Sequence, residues 1–308
     1  MNDNQPSPET GPPLVSVVMP AFDEAEGIEA VISRIHAAMT GANLSYEILV
    51  ADDGSGDDTA QLARHSGARV VSHPYNIGNG AAVKTGIRNA RGEIIVLLDA
   101  DGQHPPELIP TLVAELSTFH MAVGARTSDS DTHAHRTLAN SVYNGLASYV
   151  TGRRIPDLTS GFRAVRAQVA RQFVSLLPNT FSYPSTITLA MMRSGYAVTF
   201  VPIVAAKRKG KSKIRIFRDG SRFFFIIIRI ATLFAPMKVF LPTSLVMFFA
   251  GLIYGLVKIF VLHHPYGPTS AMLMTVAILI FMIGLVSEQV TQLRFDQASR
   301  DHPCEPES

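Results

Sequence analysis

Two long, nearly uncharged stretches near the C-terminus constrain this chain more than any other feature. Val239–Leu262 is mostly apolar. As a helix it would run roughly 36 Å, enough to cross the hydrocarbon of a bilayer. Ser270–Val290 is a second such run, and the segment between them, His263–Thr269, carries two prolines and reads as a turn. Lys258 and Glu288 sit near span ends, where a long side chain can reach toward the headgroups. Adjacent, long and almost free of charge, the two runs predict a transmembrane hairpin over 237–292 rather than two buried core helices. Lys207–Arg222, dense in Lys and Arg with one Asp, lies just before the first span, and the short turn between spans has neither Lys nor Arg. The positive-inside rule then puts the N-terminal domain and the tail, 293–308, in the cytoplasm, at the inner face of the cell membrane. Phe223–Phe234, broken by Arg229, is too short to span. An interfacial amphipathic helix is expected there, over 216–236.

The preceding two thirds read differently. Apolar runs at Leu14–Met19, Tyr46–Ala51, Ala68–Ser72, Glu93–Leu98, Met121–Gly124 and Ala197–Val201 predict strands. Between them, helical spacing covers Ala25–Met39 (with Asp23 as its cap), Asn79–Ala90, Pro106–Thr118, Thr137–Val150, Gln168–Leu177 and Ser185–Ser194. Strands alternating with helices imply an α/β fold with a mostly parallel, doubly wound sheet, over 14–215. Residues 1–13 are polar and Pro-rich with no apolar h-region, so a disordered leader is expected and no signal peptide. Cys304 is the only cysteine, which excludes an intrachain disulfide. A net charge of +2 gives no sign of a nucleic-acid partner.

In an open α/β sheet, ligands bind at the carboxyl ends of the strands. Three carboxylate loops fall there: Asp23-Glu24, Asp52-Asp53 and Asp99-Ala100-Asp101. Two hard oxygen donors one residue apart suit Mg²⁺ or Mn²⁺, ions that usually also hold substrate phosphates. Asn76–Ala82 is Gly-rich ahead of a helix and fits either a phosphate cradle or close helix packing. His133 and His135 lie in a polar loop and read as solvated rather than ligating.

These motifs occur in the order seen in a known family. Val17–Glu24, Asp52-Asp53-Gly54-Ser55, Asn76–Gly80 and Asp99–Pro105 resemble the GT-A (Rossmann-like) glycosyltransferases of family 2. Ser160-Gly161-Phe162-Arg163 and Gly210-Lys211-Ser212-Lys213, followed by a membrane hairpin, resemble its polyprenyl-phosphate glycosyltransferase branch, similar to dolichyl-phosphate mannose synthase. The resemblance implies that Pro20, Phe22, Glu24, Ala51 and Asp53 contact the nucleotide, and that Ala100 lines the site. It implies that Asp99, Asp101 and Gln103 bind the metal, with Asp99 and Asp101 also counted as catalytic. Arg126, Arg163 and Lys213 would contact donor or acceptor phosphate, and Lys207 or Arg208 would supply the cation before the Gly-X-Ser-Lys turn. Phe22 stands where Tyr is common, and Phe181–Ser185 lacks an acidic residue expected there.

The implied reaction is inverting, metal-dependent transfer from GDP-mannose or a UDP-hexose to dolichyl or undecaprenyl phosphate. A phosphate acceptor is already largely anionic, with a second pKa of about 6. It needs placing by cations more than activation by a base. Two rivals differ in their expectations. A processive polysaccharide synthase of this family would carry a Gln-X-X-Arg-Trp motif, and the chain has no Trp. A non-catalytic sugar-nucleotide scaffold would not need the complete set of Asp99, Asp101 and Gln103. The sequence is compatible with a homo-oligomer and sets no stoichiometry.

Overall fold

The computed structural model describes residues 13–127, 144–145, 147–180, 182–205, 234–265 and 267–300. The leader, His133, His135, Lys207, Arg208, Lys211, Lys213 and the expected interfacial helix up to residue 233 lie outside the described residues. The described chain falls into two compact units, one of residues 13–127 with 156–205, the other of 144–155 with 234–300.

The first unit is built on strands β1 (Val15–Ala21), β2 (Tyr46–Asp52), β3 (Arg69–Ser72), β4 (Ile94–Leu97), β5 (Met121–Arg126), β6 (Arg163–Arg166) and β7 (Val198–Ile203). They form one sheet in the order β3-β2-β1-β4-β6-β5-β7. All pairings are parallel except those of β6, which runs antiparallel to both β4 and β5. The sheet is therefore mostly parallel, as expected. Every residue of β1 is buried, which is why it reads as a nearly continuous apolar run. Its one hydroxyl, Ser16, is satisfied inside: Oγ donates to Glu47 Oε1 at 2.6 Å and accepts from Gly92 N at 2.8 Å.

Connecting helices are α1 (Ile28–Gly41), α2 (Thr59–His65), α3 (Asn79–Asn89), α4 (Ile109–Ala114), α5 (Ala167–Phe173) and α6 (Tyr183–Arg193). The stripe Ile28, Val31, Ile32, Ile35 and Met39 of α1 is buried against the sheet, together with Val17, Met19 and Val96. Asp23 does not cap this helix, which begins after Gly27. Asp23 instead takes φ +54° and accepts from Gly56 N at 2.9 Å, tying the loop after β1 to the loop after β2. The helix expected over Pro106–Thr118 is also shorter, with 3-10 turns on both sides of α4. Pro110 lies in its first turn and supplies no N–H to a longer ladder.

The second unit contains α7 (Pro236–Phe260) and α8 (Pro268–Arg300), packed antiparallel. A Cβ at Gly251 would meet Leu273 Cβ at 2.9 Å, and one at Gly284 would meet Phe240 Cβ at 2.5 Å. Small residues let the backbones approach, as in membrane helix pairs. Only 17% of each apolar window is buried, and Phe249, Ile253, Phe260, Leu279, Ile283 and Val286 face outward. Such faces suit lipid and are unlike those of a buried core helix. Glu288 Oε2 accepts from Met237 N at 3.4 Å, placing an acid at the N-terminus of α7, where it is favoured by the helix dipole. Helix α8 runs well past the apolar stretch, because residues 291–300 hold no Gly or Pro to end it. In the same unit, Lys238 Nζ donates to the carbonyls of Tyr149 and Val150, both at 2.8 Å, at the end of a helical segment reaching residue 151.

Candidate active site

The antiparallel strand β6 creates the site. Its first residue, Arg163, lies opposite Leu97 of β4 and opposite Val123 of β5. Residues 157–162 are thereby delivered to the carboxyl ends of both strands at once. Gly124 N donates to Phe162 O at 2.9 Å, fastening this segment to β5.

Asp99 emerges just past β4 with its side chain 32% exposed. Gly161 backs onto it: a Cβ there would fall on the carboxylate, 3.0 Å from Cγ. Asp101 Oδ1 accepts from Gln103 N at 3.1 Å, and Gly102 between them takes φ +71°, a conformation that favours glycine. His104 is buried beneath this turn, stacked on Phe162 with centroids 5.6 Å apart, and its Nδ1 is 3.9 Å from Asp99 Oδ2. Burial drives His104 well down, to about 4, so the ring is neutral at ordinary pH.

Arg126 closes the other side, at the end of β5. Its Nε and Nη2 donate to the two oxygens of Asp157 at 2.8 and 3.1 Å, and Nη2 also donates to Thr159 Oγ1 at 2.6 Å. Burial alone would raise Asp157, but hydrogen bonds and charge from Arg126 outweigh it and hold the carboxyl below its ordinary value. Burial likewise works against the Arg126 cation; Asp157 and Asp99 overcome it and leave the guanidinium more firmly protonated.

Arg163 is placed differently from the expectation. It is 0% exposed, donating from Nη1 to Pro184 O at 2.9 Å and Thr188 Oγ1 at 3.0 Å, and from Nη2 to Ser160 O. In this structure it braces the floor of the site and has no surface to offer a phosphate. Tyr183, also buried, lies within electrostatic reach of Asp99 and Asp101; burial first, then those charges, push its hydroxyl above the usual range.

Residues expected at the nucleotide divide in two. Phe22 is exposed and Glu24 half-buried, while Pro20, Ala51 and Ala100 are buried in the adjoining wall. Asp53 turns inward: its carboxylate takes His73 Nδ1 at 2.7 Å, Ile77 N at 3.0 Å and Gly78 N at 2.8 Å. These bonds shape the loop that follows β3. The Gly-rich stretch resolves toward close packing. A Cβ at Gly78 would come 2.5 Å from Asn179 O, and Ala81 N donates to Asn179 O at 2.8 Å, so this helix start is covered by protein.

Asp99, Asp101 and Gln103 offer hard oxygen donors on one short loop. Among the described residues, no three His, Cys, Asp or Glu side chains converge. An ion held here would complete its shell with phosphate oxygens and water, which suits Mg²⁺ or Mn²⁺ and not a closed structural zinc site. Asp157, Thr159 and His104 belong to the same constellation and were given no role from sequence. The signals were the place of His104 inside the Asp99–Pro105 motif and of Asp157 and Thr159 in a polar turn feeding a strand.

Comparison with known proteins agrees with this architecture. The family described as "Glycosyl transferase family 2" matches residues 16–173, just over half of the 308-residue chain, and "GtrB C-terminal hairpin" matches 235–293. A similar curated protein is the undecaprenyl-phosphate 4-deoxy-4-formamido-L-arabinose transferase of Klebsiella pneumoniae subsp. pneumoniae, 29% identical over 89% of this chain and 86% of its own length. The protein of the same name from Edwardsiella ictaluri is 32% identical over 55% of this chain and 57% of its own. Among solved structures, glucosyl-3-phosphoglycerate synthase from Mycobacterium tuberculosis, in complex with Mn²⁺, uridine diphosphate and phosphoglyceric acid, superposes with a TM-score of 0.58. It is 24% identical and the match covers 71% of this chain and 78% of that one, a likeness of fold. The chain has a GT-A fold ending in a two-helix hairpin, and it belongs to glycosyl transferase family 2.

Proposed function

We propose that this glycosyltransferase moves a sugar from a nucleoside-diphosphate donor to the phosphate of a polyprenyl lipid at the cytoplasmic membrane face. One observation carries the reading: a single chain joins paired carboxylates at a sheet's carboxyl edge to a hairpin of two span-length helices with lipid-suited faces. The names of its relatives, undecaprenyl-phosphate transferases, support an undecaprenyl rather than dolichyl acceptor.

Asp99, Asp101 and Gln103 would hold Mg²⁺ or Mn²⁺ together with the donor diphosphate. Bound there, the ion supplies charge neutralisation for the leaving diphosphate. Phe22 and Glu24 would meet the nucleoside, with Pro20, Ala51 and Ala100 as its wall and Asp53 setting the loop beneath. Arg126, held in one orientation by Asp157, would present its remaining donor edge to phosphate. Lys207, Arg208 and Lys213 would place the acceptor at headgroup height. The acceptor phosphate then attacks the anomeric carbon in line while the nucleoside diphosphate departs from the opposite face, so the sugar configuration inverts.

The test is incubation of membranes bearing the protein with radiolabelled UDP- and GDP-sugars, followed by solvent extraction. Label in the organic phase is expected with one donor class. Label in a water-soluble polymer would favour a processive synthase, and nucleotide binding without turnover would favour a scaffold.

A further inference from the structure

The buried imidazole under the Asp99 loop has no role in the reading above. His104 is 7% exposed, and its Nδ1 is a buried polar atom without a hydrogen-bond partner. Buried polar atoms are nearly always paired, so an orphan beside a functional loop calls for an explanation. The ring cannot turn freely, because it stacks on Phe162, a fully buried core residue, with an interplanar angle of 20°. Its Nδ1 stands 3.9 Å from Asp99 Oδ2, about 1 Å beyond a hydrogen bond. On another side, the Gly161 backbone presses against the same carboxylate. A small movement of Asp99 would therefore complete the contact.

We propose that His104 is a positioning residue: its Nδ1–H closes onto Asp99 Oδ2 when metal and nucleoside diphosphate bind, and fixes that carboxylate in its ligating orientation. This rests on the reading of Asp99 as a metal ligand. Ligating carboxylates are themselves hydrogen-bonded, and loss of such an outer partner typically costs about 10- to 100-fold in metal affinity.

The experiment uses the full chain in detergent micelles. Mn²⁺ is titrated while its free-ion paramagnetic resonance signal is followed, with saturating UDP and, separately, GDP. His104→Asn and His104→Leu form a matched pair: the same branched skeleton of four side-chain heavy atoms, both lacking the stack on Phe162, differing in a donor near the Nδ1 position. His104→Leu should weaken Mn²⁺ retention by about 10- to 100-fold, whereas His104→Asn should stay within about threefold of the parent chain. Nucleotide affinity measured in EDTA should be unchanged in both, which a general loss of structure would not produce. Equal Mn²⁺ affinities for the two variants overturn the proposal. If His104→Leu does not fold, His104→Phe, which keeps the stack and lacks the donor, takes its place. Failure of both to fold makes His104 a core residue and also overturns it. If the parent chain retains Mn²⁺ with neither nucleotide, the metal reading of Asp99 falls first, and this inference with it.

Discussion

Asp157→Asn isolates what the pairing with Arg126 contributes. The substitution keeps shape and volume but removes the charge, and turns one of the two acceptor oxygens facing Arg126 into a donor. The side chains are 20% and 6% exposed, so the pair is largely, though not wholly, desolvated. Removing one partner of a buried pair costs about 3–5 kcal/mol, and the partial solvent access of Arg126 argues for the lower end, about 3 kcal/mol. For a domain of this size that corresponds to a drop of roughly 6–12 °C in melting temperature. Circular dichroism of the full chain in micelles would measure it. The pH dependence has a definite sign. Asp157 is held below its ordinary value, so its contribution is full above the unfolded carboxylate pKa of about 3.9 and is lost as pH falls through the depressed folded value. The gap between parent and variant should thus be constant near neutrality and close in acid. A shift under about 2 °C at neutral pH, which is what an exposed pair would give, or a gap that widens in acid, which a carboxyl held below its ordinary value cannot give, would refute the reasoning.

Three further outcomes are expected. Asp101→Asn should abolish transfer and leave the fold intact, since a neutral amide is a weaker ligand than a carboxylate; full activity in EDTA would contradict this. Gly161→Ala should cut transfer by about tenfold or more by displacing Asp99, whereas Gly145→Ala, with nothing within 4 Å of the added Cβ, should leave the rate unchanged. Lys213→Ala should slow transfer by roughly ten- to hundredfold, with Lys211→Ala costing little; equal small effects in initial-rate assays would reduce the basic cluster to a topology signal.

The parts of the molecule legible in the sequence are those set by local pattern. The stripe from Ile28 to Met39, the buried run of β1 and the two long apolar helices each declare themselves through periodicity or length. What escaped depends on non-local pairing. Nothing near Asp157 announces that it will reach Arg126, because that contact exists only once β6 inserts antiparallel between β4 and β5. The same insertion buries Arg163, to which the family resemblance had given a phosphate contact. The partners of Asp53 were hidden for a related reason: an Asp-Asp-Gly turn does not announce that its second carboxylate will accept from the N–H groups of Ile77 and Gly78.

The Arg126–Asp157 pair also joins the two ends of a long excursion. The chain leaves the sheet with β5 at Arg126 and rejoins it with β6 at Arg163, and Arg126 clasps Asp157 shortly before that return. For any segment closed at its base, the entropy cost of closure grows slowly with length, by about 0.6 kcal/mol for each doubling. The inner part of the excursion is fastened elsewhere, through Lys238 to the carbonyls of Tyr149 and Val150. A change of chain length between residues 127 and 156 therefore falls on loop closure and spares the Arg126–Asp157 clasp, whereas the same change between Asp157 and Arg163 would shift the clasp against β6.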